Sequence, residues 1–214
     1  MASVVKPSRR YDASRRRAQA EQTRTLVLET AHRLFLANGY VATTIAAIAA
    51  EAGVSVETIY KAYGNKPSLV RAIHERALAG EGAVPTSQRS DEMRARERDP
   101  RRVIRNWGHF ATQVMPRVAP ILLLVRSAAA TAPELSALWE ELEHQRLRRM
   151  AENARYFVDG GHLRQGRTLE EARDVLWAYT SPELYERLVL RQGWPLARWG
   201  QFVSDGIIAA LLAP

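Results

Sequence analysis

Residues 43–66, TTIAAIAAEAGVSVETIYKAYGNK, bring hydroxyls at Thr43, Thr44, Ser55, Thr58, Tyr60 and Tyr63 close to ammonium groups at Lys61 and Lys66. Groups of these types suit contacts to phosphate oxygens rather than nucleophilic or metal chemistry. Two short helices would position them. Thr43 and Thr44 are N-cap-type residues, and Ile45, Ile48, Ala49 and Ala52 recur at helical spacing behind them, giving one small apolar face. Gly53 ends that helix, because glycine enters the left-handed region without a Cβ clash. Val54 plugs the turn, and Ser55 is a fresh N-cap for a helix over 56–62. The pattern is a helix-turn-helix, whose second helix can enter the DNA major groove while the first crosses the backbone. Val56, Glu57, Lys61 and Ala62 form its outward face and are left to read bases. The Glu57 carboxylate can accept from a cytosine amino group, but near phosphates it is unfavourable unless paired, so discrimination and tolerated strain both stand as readings.

A reading head of this kind needs a core of its own. Val27, Ala31, Leu34 and Phe35 describe one stripe of a helix over 18–38 closed by Gly39, and Leu34 and Phe35 are expected on Ile45, Ile48 and Ile59. Pro67 fits the first turn of a helix over 66–79 carrying Leu69, Val70 and Ile73. Residues 1–17, with Arg9, Arg10, Arg15, Arg16 and Arg17, cannot form a core. They read as a disordered tail or as an arm that follows phosphates or enters the minor groove.

Of 214 residues 46% are hydrophobic, enough for a sizeable core. The formal charge of +8 is uneven: residues 1–80 hold 12 Lys and Arg against 6 Asp and Glu, and the remainder hold 19 against 17. Most of the excess therefore sits with the expected DNA reader. Without cysteine there is no disulfide, thiolate metal site or thiol nucleophile. No signal peptide or membrane span is legible, and the expected location is cytoplasmic. His32, His74, His109, His144 and His162 lack ligand spacing, and neither a phosphate-binding glycine loop nor a catalytic triad signature is visible. The sequence therefore offers no catalytic residue, metal site or cofactor site, and an enzyme is not expected.

Residues 80–98 change character, with Gly82, Pro85, Ser87 and Ser90 before dense charge, and read as a linker or a partly helical excursion. From Asp99-Pro100 onward the signal is helical. The first helix carries Val103, Ile104, Trp107, Phe110 and Val114 and is expected to break at Pro116 and Pro120. Pro133 opens a long helix to about Phe157, and Thr168 with Glu171 forms a capping box. Ser181-Pro182 caps a helix to about Arg191, and Trp194-Pro195 begins the last.

The series TT-x3-IA-x2-AGVS-x3-IY-x2-Y-x2-K, here Thr43, Thr44, Ile48, Ala49, Ala52, Gly53, Val54, Ser55, Ile59, Tyr60, Tyr63 and Lys66, resembles the TetR family of bacterial transcriptional repressors. Glu57 departs from it, standing where glycine is commonest. The resemblance implies an all-α protein: a helix-turn-helix domain at 18–65, a connecting helix and linker at 66–98, and a helical effector-binding and dimerisation domain at 99–214. It implies phosphate contacts from Thr44, Thr58, Tyr60 and Lys66, with Tyr63 either joining them or packing the unit, and Ser55 at the start of the DNA-binding helix. It further implies a homodimer on a palindromic operator in double-stranded DNA, with the helices at 168–179 and 195–212 in contact through residues such as Trp199, Phe202, Ile207 and Leu211; each has intramolecular core as its alternative. Finally it implies a small-molecule effector, chemically unspecified, in a pocket drawn from Trp107, Phe110, Met115, Leu123, Arg126, Trp139 and Trp177. Arg126, inside an apolar run, needs a partner: a glutamate on the long helix, or an anionic ligand. The expected function is a repressor released from DNA by that ligand; a DNA-binding regulator without one, activating or architectural, is the alternative.

Overall fold

The computed structural model describes residues 9–80 and 84–213, which form helices and no strand. The helices are α1 Arg9–Ala42, α2 Ile45–Ala52, α3 Val56–Tyr63, α4 Lys66–Ala79, α5 Thr86–Arg96, α6 Pro100–Ala129, α7 Pro133–Asp159, α8 Leu169–Tyr179, α9 Pro182–Tyr185 and α10 Leu196–Leu211, with a π-helical turn at Glu186–Arg191. The chain divides into two compact units, one ending at Ile73 and the other beginning at His74. That division falls inside α4, within the connecting segment expected at 66–98.

In the first unit Val27, Ala31 and Phe35 of α1, Ile45 and Ile48 of α2, Ile59 of α3, and Leu69, Val70 and Ile73 of α4 are buried. Phe35 stacks on Tyr40 at 5.8 Å between ring centroids. Two expectations change here. Residues 9–17 are not a tail but the first turns of α1, in a stretch rich in the good helix formers Arg, Ala and Gln; residues 1–8 lie outside the described residues. Thr43 does not cap α2. It is buried and donates to the carbonyls of Leu34 (3.1 Å) and Gly39 (2.8 Å), fixing the chain where Gly39 leaves helical geometry at φ 79°.

The second unit is built on α6, α7, α8 and α10. Its core joins Ile104, Met115, Ala119, Phe157, Leu176, Tyr185, Trp199, Val203, Ile207 and Leu211. The expected linker contains a true helix, α5, docked by the Thr86 hydroxyl on the Leu78 carbonyl and by Asp91, which accepts from Arg149 of α7 at 2.7 Å. Nor do Pro116 and Pro120 break α6, which runs on as one helix. Each costs a backbone hydrogen bond, but Met115, Val118, Ala119, Ile121, Leu122 and Val125 are buried on the same stretch, and that apolar burial outweighs the roughly 3 kcal/mol per proline.

Helices α6 and α10 meet at two glycines. A Cβ on Gly108 would lie 2.5 Å from the Gly200 carbonyl oxygen, and one on Gly200 would lie 2.8 Å from the Gly108 carbonyl oxygen. Backbone cannot step aside as a flexible side chain can. Gly108→Ala is therefore expected to destabilise the second unit by about 1–3 kcal/mol, read as a lower urea midpoint for its unfolding.

Candidate nucleic-acid interface and effector cavity

The Thr44 side chain caps α2 by accepting from Ala47 N at 3.1 Å, and Gly53 ends it at φ 66°, ψ 30° while its own N–H reaches Ala49 O and Ala50 O. Ser55 then caps α3, accepting from Thr58 N at 3.1 Å, with its hydroxyl 2.9 Å from that of Thr58. Ile59, 2% exposed, anchors the inner side of α3. Everything opposite it faces water: Val56, Glu57, Thr58, Tyr60 and Lys61 are exposed, as are Thr44 and Ser55. Glu57 sits in the first turn of α3, where the helix dipole favours a carboxylate, which accounts for an acid on this face without a base contact.

Tyr63, expected to contact phosphate or to pack the unit, and Lys66, expected on phosphate, both have partners within the unit. The Tyr63 hydroxyl donates to Arg24 O at 3.0 Å, locking α3 to α1. The Lys66 ammonium donates to Tyr40 O at 2.5 Å and lies 3.9 Å from the centre of the Tyr40 ring. Both hold the reading head together, since a cation over a buried ring with a carbonyl beside it is better served there than in water. A groove between α1 and α3 places Arg16, Gln19, Thr23 and Arg24 beside Thr58 and Lys61. Sequence reading missed these α1 residues. Gln19, Thr23 and Arg24 lie within the helix expected over 18–38, but only its apolar stripe points to a role in the sequence; which polar residues stand beside α3 is set by packing.

In the second unit a cavity of about 250 Å³ opens among α4, α5, α6, α7 and α8. Trp107, Phe110 and Met115 line it, as expected from the sequence, together with Leu122, Leu142, Met150 and Asn153. Leu123, Trp139, Trp177 and Arg126 do not. Leu123 misses by one position, because a step of one residue turns the side chain about 100° around the helix and brings Leu122 to the cavity instead. Trp177 lies on the far side of α8, 36% exposed, with the Arg146 guanidinium 5.7 Å from its ring centre.

Arg126 has protein partners: Nη1 donates to Glu183 Oε1 at 2.7 Å and Nη2 to Glu186 Oε2 at 3.1 Å. These acids follow α8 rather than standing on the long helix α7. The bond from Arg191, reinforced by Arg126, holds the Glu186 carboxyl below the ordinary carboxylate range. The bond from Arg149 lowers Asp91 likewise.

Of the expected dimer residues, Trp199, Ile207 and Leu211 are buried in the core of their own chain and have no surface to offer a partner. A period-3.6 stripe looks the same whether it faces its own bundle or another. Phe202 alone is outward, 41% exposed, with its ring 5.6 Å from that of Trp194 and 6.2 Å from that of Tyr179.

Residues 27–73 match the family described as bacterial regulatory proteins, tetR family. Residues 27–73 thus form a helix-turn-helix segment of the kind that this family model describes. No curated protein matches the chain. Among solved structures, a SmeT–triclosan complex is similar at 24% identity, with 90% of this chain and 92% of that one covered and a TM-score of 0.70. NalD of Pseudomonas aeruginosa, the secondary repressor of the MexAB-OprM multidrug efflux pump, is similar at 20% identity, 91% and 98% coverage and a TM-score of 0.72. A transcriptional regulator from Saccharomonospora viridis in complex with choline is similar at 20% identity, 91% and 100% coverage and a TM-score of 0.67. These likenesses extend over both units and are likenesses of fold. Among the described residues no helix is long and apolar enough to cross a membrane, and no group of three or more His, Cys, Asp or Glu could hold a metal ion.

Because Glu186 and Asp91 are depressed in the folded state, the stability they lend is full above the ordinary carboxylate range and is lost as pH falls through the depressed values. The thermal midpoint should decline as pH is lowered from about 5, and the decline should be shallower in Glu186→Gln.

Proposed function

We propose that this chain is a cytoplasmic, sequence-specific DNA-binding transcriptional regulator that works as a homodimeric repressor and leaves a palindromic operator when a small molecule occupies the cavity of the second unit. The matched helix-turn-helix supports the DNA half. On that reading Thr44, Ser55 and Thr58 hold phosphates through hydroxyls and helix N-termini, Tyr60 adds a phenol, and Val56, Glu57 and Lys61 meet base edges. The cavity supports the effector half: a mostly apolar pocket of about 250 Å³ with a few polar side chains in its wall can bury much of a small molecule. The ligand need only prefer the conformation that binds DNA poorly. Dimerisation is assigned to the outward face around Phe202 on α10, with Tyr179 and Trp194 beside it.

Selection of bound DNA from a random library by the purified protein tests this reading. One enriched palindrome is the expected result; salt-sensitive binding without enrichment would leave phosphate contact without readout and sink it. On the selected site, Lys61→Ala should cost about 1–3 kcal/mol and relax preference at one position per half-site. Thr44→Ala should weaken selected and scrambled DNA alike.

A further inference from the structure

The cavity has polar features that define what it can hold. Asn153 is 6% exposed, and its side-chain oxygen finds no hydrogen-bond partner among the described residues. The indole N–H of Trp107 is buried and equally without one. Both residues line the cavity, and Trp107 is held edge-on to Phe157, one turn beyond Asn153 on α7, at 5.7 Å between ring centroids. A buried acceptor and a buried donor left unpaired are unfavourable, and a ligand that pairs them recovers that loss on binding.

The ionisable residues of the wall are His74, Arg146 and Arg149, and both guanidinium groups already have carboxylate partners. Arg146 donates to both oxygens of Glu143, at 2.7 and 3.0 Å, and to the carbonyls of Trp177 and Thr180. Arg149 donates to Asp91 and Glu152. An anion would have to compete with these carboxylates. A cation fares no better, since no Asp or Glu lines the cavity; Arg89, whose buried Nε and Nη2 find no hydrogen-bond partner among the described residues, does not line it and holds its guanidinium 4.9 Å from the centre of the Phe110 ring. The remaining wall is mostly aliphatic, aromatic and thioether.

We propose that the effector is an uncharged, mostly apolar ring compound that offers a hydrogen-bond donor to the Asn153 side-chain oxygen and an acceptor to the Trp107 indole N–H. This rests on the reading of the cavity as the effector site and adds the chemical class. Met115 and Met150 in the wall let it adapt to ring shape, while the Asn153 and Trp107 pair fixes orientation.

Titration calorimetry on the full chain with a matched series tests the class: 2-naphthol, 2-naphthalenesulfonate, 2-naphthylmethylammonium and 2-methoxynaphthalene, each repeated in the presence of the selected operator. The naphthol should bind about tenfold or more tighter than either charged analogue, because the guanidinium groups in the wall are already paired and no carboxylate lines it. It should bind about fivefold tighter than the methyl ether, which has lost the donor, and that ratio should collapse towards one in Asn153→Leu. Trp107→Phe should weaken the naphthol while keeping the ring packed on Phe157. The thermal midpoint of Asn153→Leu should be unchanged or higher, since an unpaired buried oxygen has been removed, so lost binding there is not lost folding. A charged analogue that binds as tightly as the naphthol and still releases operator overturns the class while leaving the effector reading intact. A naphthol-to-ether ratio that survives in Asn153→Leu removes that residue from the proposal. Failure of all four compounds to bind overturns the proposal and the effector reading together.

Discussion

Helices of eight residues, such as α2 and α3, do not persist alone in water, because nucleation consumes most of what so few hydrogen bonds return. Their existence depends on what is placed at their ends and beneath them. Thr44 and Ser55 satisfy amide groups that would otherwise be unpaired, Gly53 reverses the chain between them, and Ile48 and Ile59 bury one side of each helix on a core that includes Phe35. Only with those constraints met does α3 present a continuous exposed face. The Tyr63 hydroxyl and the Lys66 ammonium belong to the same scaffold, since each is bonded to a backbone carbonyl of α1. Residue types suited to phosphate are here used to aim other residues at it.

The second unit solves a different problem. It keeps an apolar cavity with two arginines in its wall, and their charges are matched from within the chain. Arg146 with Glu143 and Arg149 with Asp91 are both internal arrangements. Partly exposed pairs such as these add little to stability individually. On the proposed reading their effect is on recognition, because a wall whose cations are already paired would distinguish ligands by shape and by a few unpaired dipoles.

Much of the first unit could be read from the sequence, because caps, glycine turns and a 3.6-residue period are local signals, and the family pattern lies in contiguous residues. What was not legible depended on tertiary contact. Nothing local distinguishes a tyrosine that touches DNA from one that bonds Arg24 O, or a lysine on a phosphate from one lying over Tyr40. In the second unit three of the seven expected pocket residues, Trp107, Phe110 and Met115, do line the cavity, while Leu123 gives way to its neighbour Leu122. Composition could find the apolar stripe, but its angular position is settled only by packing. The intact α6 makes the same point: a proline's intrinsic preference is known from sequence, whereas the burial that overrides it is not. The buried Trp199, Ile207 and Leu211 show the same dependence: sequence left dimer seam and intramolecular core both open, and only packing places them in the core of their own chain.

The approach of Gly108 to Gly200 bears on how such a protein could change its specificity. Gly108 also lines the cavity, so part of the wall is a seam where two helices touch backbone to backbone. Nearly any side chain introduced there would push the helices apart, which leaves that wall closed to evolutionary adjustment. Variation in ligand preference would have to accumulate on the other sides, at Phe110, Met115, Met150 and Asn153, where side chains can be exchanged without moving a helix. A lineage descending from this protein could thus acquire new effectors by substitution around a stationary seam.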